Sequence, residues 1–169
     1  MNHVQIKNAD CLIEMKNIPD NYIDLTVTSP PYDNLRTYNN SLEWGEHIWK
    51  PIIQELYRIT KSGGVVVWVV GDATIKGSET GTSFKQALYF KEVGFNLHDT
   101  MIWNKDKYIP LSHNRYEQQF EYMFILSKYK PSTINHIKIK SKFFGHTPIR
   151  TFYQNSKDEN PTEGHCKIS

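Results

Sequence analysis

Cysteine is scarce in this chain. Cys11 and Cys166 are the only two among 169 residues, they lie far apart, and no Cys-x-x-Cys pair exists. A disulfide framework and a cysteine-built zinc site are therefore excluded from expectation. The seven histidines show no ligand spacing, so no metal is expected. No run of 18 apolar residues occurs, which removes a membrane-spanning helix. The opening MNHVQIKNAD lacks the apolar core of a signal peptide. These absences together make a cytoplasmic protein without a membrane partner the expectation. Acidic residues are missing from one stretch: Lys128 to Arg150 holds six basic side chains and no acid. The overall balance is +2, so the rest of the chain carries a net −4. A basic segment on an acidic body suits a polyanion contact, and equally a solvated linker.

The length fits one ordinary domain, and 38% hydrophobic residues allow a modest core. Val4 to Ile6 reads as a short strand, and Cys11 to Met15 as a helical turn behind Asp10. Tyr22 to Thr28, rich in β-branched residues, reads as a strand. Trp44, Ile48, Trp49, Ile52, Ile53, Leu56 and Tyr57 recur at helical spacing, with Pro51 near the helix start or kinking it. Lys61-Ser62-Gly63-Gly64 stops that helix. Val65 to Val70 is a continuous apolar run of the kind buried on both faces of a parallel sheet. A polar loop, Asp72 to Gly81, precedes a helix over Ser83 to Val93 that Gly94 ends. Phe95 to Trp103 and Glu121 to Ser127 are further strands. The alternation predicts an α/β fold, a mostly parallel Rossmann-like sheet with helices on both faces.

Within this pattern TVTSPPYDN, Thr26 to Asn34, is unusual. A proline pair ends a core strand, because proline cannot donate to the ladder. In open α/β sheets ligands bind beyond the carboxyl ends of strands, where Ser29-Pro30-Pro31-Tyr32 and Gly71-Asp72 both fall. Each proline restrains the residue before it, so the Ser29 and Pro30 carbonyls take fixed directions with no competing N–H. The Ser29 hydroxyl is a third acceptor and Tyr32 a flat ring beside it. Such a set is a receptor for an exocyclic amino group on a planar ring. Accepting both amine protons localises the nitrogen lone pair and stabilises the positive charge that grows on attack, the reverse of an oxyanion hole.

The segment resembles the catalytic motif of amino-group DNA methyltransferases, [Ser/Asp/Asn]-Pro-Pro-[Tyr/Phe/Trp]. The similarity extends through NADCLIEMKNIPDNYIDLTVTSPPYDN, PIIQELYRITKSGGVVVWVVGDATIKGSETGTSF and FEYMFILSKYKP, about residues 3 to 131, in the circular arrangement with the catalytic half first. The resemblance implies a methyltransferase sheet, S-adenosylmethionine as methyl donor, double-stranded DNA as substrate, and a restriction-modification context. The target base would be flipped out, with serine at the first motif position favouring cytosine N4 over adenine N6. Ser29, Pro30, Pro31 and Tyr32 would form the catalytic corner, with Ser29 and Asp10 contacting the cofactor. Asp10 reads equally as a helix N-cap. Asp72 reads as lining the site or capping a turn, and Thr80, Thr82 and Ser83 as positioning the base or capping a helix. Arg115, in a loop facing DNA, is a phosphate contact or an ordinary surface arginine; Lys138, Lys140 and Lys142 complete the candidate DNA contacts.

The family binds its cofactor through a Phe-x-Gly-x-Gly turn. Phe143-Phe144-Gly145-His146 is the nearest approach and lacks the second glycine. The expectation is a catalytic region over 1–131 followed by a basic linker or incipient recognition region over 132–169. Such a chain would lack the cofactor-binding half, bind S-adenosylmethionine weakly and be inactive alone. It would need a complementary C-terminal fragment or self-associate through uncovered apolar surface. A truncated, non-catalytic nucleic-acid-binding remnant and an RNA or protein-amide methylase are the alternatives.

Overall fold

The computed structural model describes residues 4–33, 44–106, 114–116 and 118–135. Those up to Ile134 belong to one compact unit. The elements run α1 (Cys11–Met15), β1 (Ile23–Thr28), α2 (Glu46–Ile59), β2 (Thr60–Val70), a small hairpin of β3 (Thr74–Ile75) and β4 (Ser78–Glu79), α3 (Thr82–Val93), β5 (Asn96–Asn104) and β6 (Phe120–Ser127). The main sheet has the order β1-β2-β6-β5. β1 pairs parallel with β2, while β6 pairs antiparallel with both β2 and β5. Three of the four strands therefore point the same way, and β6 is the reversed one between them. The expected α/β fold and mostly parallel strand directions are present.

Local chemistry explains the boundaries. Asp10 caps α1, its Oδ1 accepting from Leu12 N at 2.8 Å and Ile13 N at 3.1 Å. α2 ends at Ile59, and the Lys61–Gly64 excursion follows as a bulge: the register jumps from Ile23↔Thr60 to Leu25↔Val65. α3 ends at Gly94, whose φ of 121° and whose closeness to the Tyr57 ring both demand glycine; an added Cβ would sit 3.0 Å from the Tyr57 Cζ and hydroxyl.

Period-2 alternation places Val66, Trp68 and Val70 beside Leu126 and Phe124 in one core with Trp49, Ile53 and Leu56 of α2 and Ala87 and Phe90 of α3. All three helices join this core. The crossovers β1–α2–β2 and β2–α3–β5 step the same way across the sheet, so a single handedness lays both helices on one face. The second face, which the sequence reading also gave helices, carries none among the described residues. Leu25 and Val27 of β1 are 58% and 66% exposed there, and Met101 and Trp103 of β5 49% and 58%.

Two expectations are corrected. Val4 to Ile6 forms no strand, and Val4 and Ile6 are 86% and 90% exposed. Three extended residues have no ladder to join, since β1 takes its described partner from β2. Lys128, counted in the basic stretch, is buried rather than free for a polyanion. Its Nζ donates to Asn21 Oδ1 at 2.9 Å and Tyr57 O at 2.7 Å and lies 4.4 Å above the Tyr57 ring. Burial pulls its pKa below the usual lysine value. No helix among the described residues is long and apolar enough to cross a membrane.

Candidate active site

Parallel pairing of Thr28 with Trp68 brings the exits of β1 and β2 to one edge. Because β6 runs backwards, with Tyr122 opposite Val70, its first residues lie at that same edge. The Ser29–Tyr32 corner, Gly71-Asp72 and Glu121 are thereby assembled from three distant segments. Pro30 is buried, Tyr32 is half-buried against the core, and Ser29 is exposed. The Tyr32 ring lies beside Gly71, where an added Cβ would come within 3.7 Å of it.

Polar contacts hold the corner. Ser29 Oγ and Tyr32 Oη are 2.8 Å apart. Tyr32 Oη donates to Glu121 Oε2 at 2.6 Å, and Lys105 Nζ pairs with Glu121 Oε1 at 2.5 Å. Asp33, in the left-handed region at φ 43°, accepts through Oδ2 from Ala73 N at 3.2 Å and Thr80 Oγ1 at 2.7 Å. The loop after β2 is thus tied directly to the residue after Tyr32.

Asp72 is buried and caps α3 from outside the helix. Its Oδ1 accepts from Ser83 N at 2.8 Å and its Oδ2 from Ser83 Oγ at 2.5 Å. Thr80 Oγ1 approaches the same carboxylate at 3.3 Å. Of the two readings, capping is made by Asp72, to whose carboxylate Thr80 and Ser83 donate rather than capping the helix themselves. Asp72→Ala is expected to leave the Ser83 donors unsatisfied and cost about 1–3 kcal/mol, read as a lower urea midpoint at unchanged slope. A midpoint equal to the parent's would show that water replaces the cap.

The β3–β4 turn takes positive φ at Lys76 and Gly77, a hairpin geometry that glycine favours. Arg115 grips it, donating from Nη1 to Gly77 O at 2.6 Å with Nη2 3.5 Å from Glu79 Oε1. Its guanidinium clasps the two loops beside the site. Asp10 stands as the α1 N-cap, and Lys138, Lys140 and Lys142 lie outside the described residues.

Two further groups have raised pKa values. Partial desolvation, reinforced by the Asp10 charge, pushes the pKa of the exposed Cys11 thiol up, so it is not a poised nucleophile. Burial, then the Asp72 and Glu79 carboxylates, pushes the Tyr122 hydroxyl up. Among the described residues no cluster of three His, Cys, Asp or Glu side chains could hold a metal.

Sequence reasoning missed Glu121, Lys105 and Asp33. The signal for Glu121 was available: it is the single charge within the otherwise apolar run FEYMFILS.

Comparison with known proteins places the chain by family and fold. The N6_N4_Mtase family, DNA methylase, matches residues 23–165. The orphan methyltransferase M.BamHII of Bacillus amyloliquefaciens is 67% identical over 121 residues, covering 71% of this chain and 44% of that protein. The type II methyltransferase M.BglII of Bacillus subtilis is 29% identical over 102 residues, covering 59% and 28%. The chain spans less than half the length of the curated relatives it matches. Among solved structures, the cytosine-N4-specific PvuII DNA methyltransferase superposes with TM-score 0.61 at 19% identity, over 81% of this chain and 59% of that one. The M1.HpyAVI–SAM complex gives 0.57 at 22% identity, over 81% and 60%. At these identities the superpositions speak for the fold.

Proposed function

The chain belongs to the N6/N4 DNA methylase family, and from that premise we propose that it is the catalytic part of an S-adenosylmethionine-dependent DNA methyltransferase. Its target is the exocyclic amino group of a flipped base, N4 of cytosine ahead of N6 of adenine. The observation that carries this reading is the corner itself: an exposed Ser29 hydroxyl beside a proline-locked backbone and the Tyr32 ring. It offers hydrogen-bond acceptors to an amine and no covalent nucleophile. The base would stack on Tyr32, while Ser29 Oγ and the Pro30 carbonyl take the two amine protons. The nitrogen lone pair is then localised and the charge developing on nitrogen is stabilised.

The methyl donor supplies an electrophilic methyl group. The described residues do not enclose it by themselves. At the N-terminus of α1 the Leu12 and Ile13 N–H groups are already taken by Asp10, and no glycine-rich turn precedes that helix. Among the described residues, a contact from Asp10 or Ser29 would supply at most one wall for the cofactor. The proposed division is a catalytic region over 1–131 with a basic segment after it, supported by the compact unit ending at Ile134. The uncovered sheet face, with Leu25, Val27, Met101 and Trp103, fits the remaining part of a methyltransferase. That complement is supported by the superposed structures, of which this chain covers 59% and 60%.

The test is a chimaera in which this chain replaces the matched 121 residues of the Bacillus amyloliquefaciens relative. Nucleosides from DNA treated with it are expected to contain N4-methylcytosine, or N6-methyladenine if the base preference is reversed. Detection of 5-methylcytosine alone would sink the assignment. Salt-dependent DNA binding without any methylated nucleoside would favour the non-catalytic reading.

A further inference from the structure

We infer that Glu121 is a positioning residue that sets the polarity of the Ser29 hydroxyl and so makes Ser29 Oγ a hydrogen-bond acceptor. This inference rests on the amino-methyltransferase reading of the corner. A serine hydroxyl can donate as well as accept, and facing an NH₂ group only acceptance activates the nitrogen. Something must therefore occupy the Ser29 proton. The 2.8 Å Ser29–Tyr32 contact admits either atom as donor. Glu121 decides between them. Its carboxylate is paired with Lys105, and it accepts from Tyr32 Oη at 2.6 Å. Tyrosine has one hydroxyl proton, now committed to Glu121, so Tyr32 Oη is left as an acceptor. The Ser29 proton then points at Tyr32, and the Ser29 lone pairs face solvent, where a base would enter. The reverse arrangement would set two oxygens 2.6 Å apart with no proton between them, beside a negative charge.

Glu121 does not act on the substrate directly. It acts through Tyr32, across 89 residues of sequence. Lys105 holds the other carboxylate oxygen and keeps the acceptor oriented. The serine, the tyrosine hydroxyl and the strand glutamate are thus one directional relay, whereas a phenylalanine in the aromatic position would supply the ring alone.

Two measurements test the assignment. With the full 169-residue chain carrying ¹³C at tyrosine Cζ, the Tyr32 signal is identified by its loss in Tyr32→Phe. In mixed H₂O and D₂O it is expected to split, as a slowly exchanging hydroxyl donor does. Glu121→Ala is expected to collapse the splitting and Ser29→Ala to leave it. Collapse in Ser29→Ala with survival in Glu121→Ala would reverse the polarity and overturn the inference. In the chimaera, Glu121→Gln, which keeps one acceptor oxygen, is expected to lower kcat about tenfold and Glu121→Ala further, with both KM values within about twofold. An unchanged kcat in both variants also overturns it. Absence of N-methyl nucleosides from the parent chimaera strikes the underlying function instead, and the tyrosine signal still decides the hydroxyl polarity.

Discussion

Titrated with S-adenosylmethionine, the 169-residue chain alone is expected to show no binding in the low-micromolar range. Micromolar affinity is worth about 8 kcal/mol. A cofactor of this kind collects it from backbone N–H groups at a glycine turn, from apolar burial of its adenine, and from a few side-chain bonds at ~1 kcal/mol each. Here the sequence offers Phe143-Phe144-Gly145-His146, without the second glycine that lets backbone approach a ligand closely. The N-terminus of α1 is occupied by Asp10. Among the described residues, the corner with Ser29 is the remaining candidate contact, at most one side of a binding site. The sheet face without helices among the described residues also exposes Leu25, Val27, Met101 and Trp103. Calorimetric titration with parallel sedimentation decides the matter. Weak or no binding by an associating chain is expected, and low-micromolar binding by a monodisperse monomer would show that the glycine turn is dispensable.

Trp68→Ala is expected to unfold the chain at 37 °C. Trp68 is 1% exposed at the centre of the sheet, with its ring 5.1 Å from that of Phe90 in an edge-on contact. Truncating a buried tryptophan costs about 3–5 kcal/mol. A second loss adds to it. Trp68 Nε1 donates to Gln86 Oε1 at 2.7 Å, and Gln86 is fully buried with its Nε2 unpartnered among the described residues. Removing the indole leaves both ends of a buried amide without partners, a further ~1–3 kcal/mol. The sum is comparable to the whole stability of a domain, about 5–15 kcal/mol. Trp68→Phe keeps a ring against Phe90 while removing the bond to Gln86 and part of the ring volume, so most of the packing loss separates from the hydrogen-bond loss. Urea unfolding of both variants is the measurement. A Trp68→Ala chain with a midpoint near the parent's would mean that the core around β2 repacks.

Much of this architecture follows from local chemistry, and such features are legible from residue order. Asp10 caps α1 because a short acceptor before a helical turn finds its N–H groups two and three positions on. The Val65–Val70 run forms an inner strand with neighbours on both edges, its Val66, Trp68 and Val70 buried and Val65, Val67 and Val69 half-buried. Gly94 ends α3 because its φ of 121° is closed to other residues. β1 ends at Thr28, and the proline pair follows after Ser29 alone. Features that depend on which distant segments meet were not legible. Nothing in FEYMFILS says that this strand runs opposite to its neighbours, yet that reversal carries Glu121 to Tyr32. Lys128 looked like one more solvated cation, and the Tyr57 carbonyl and Asn21 amide that bury it lie 71 and 107 residues away. The strand expected at Val4 to Ile6 failed for the same reason, since a strand exists only where another offers it a ladder. Short-range hydrogen-bond and steric rules write the elements and the proline corner into the chain. Strand direction and long-range pairing, which cost chain entropy and are settled by the packed core as a whole, choose the partners that orient that corner.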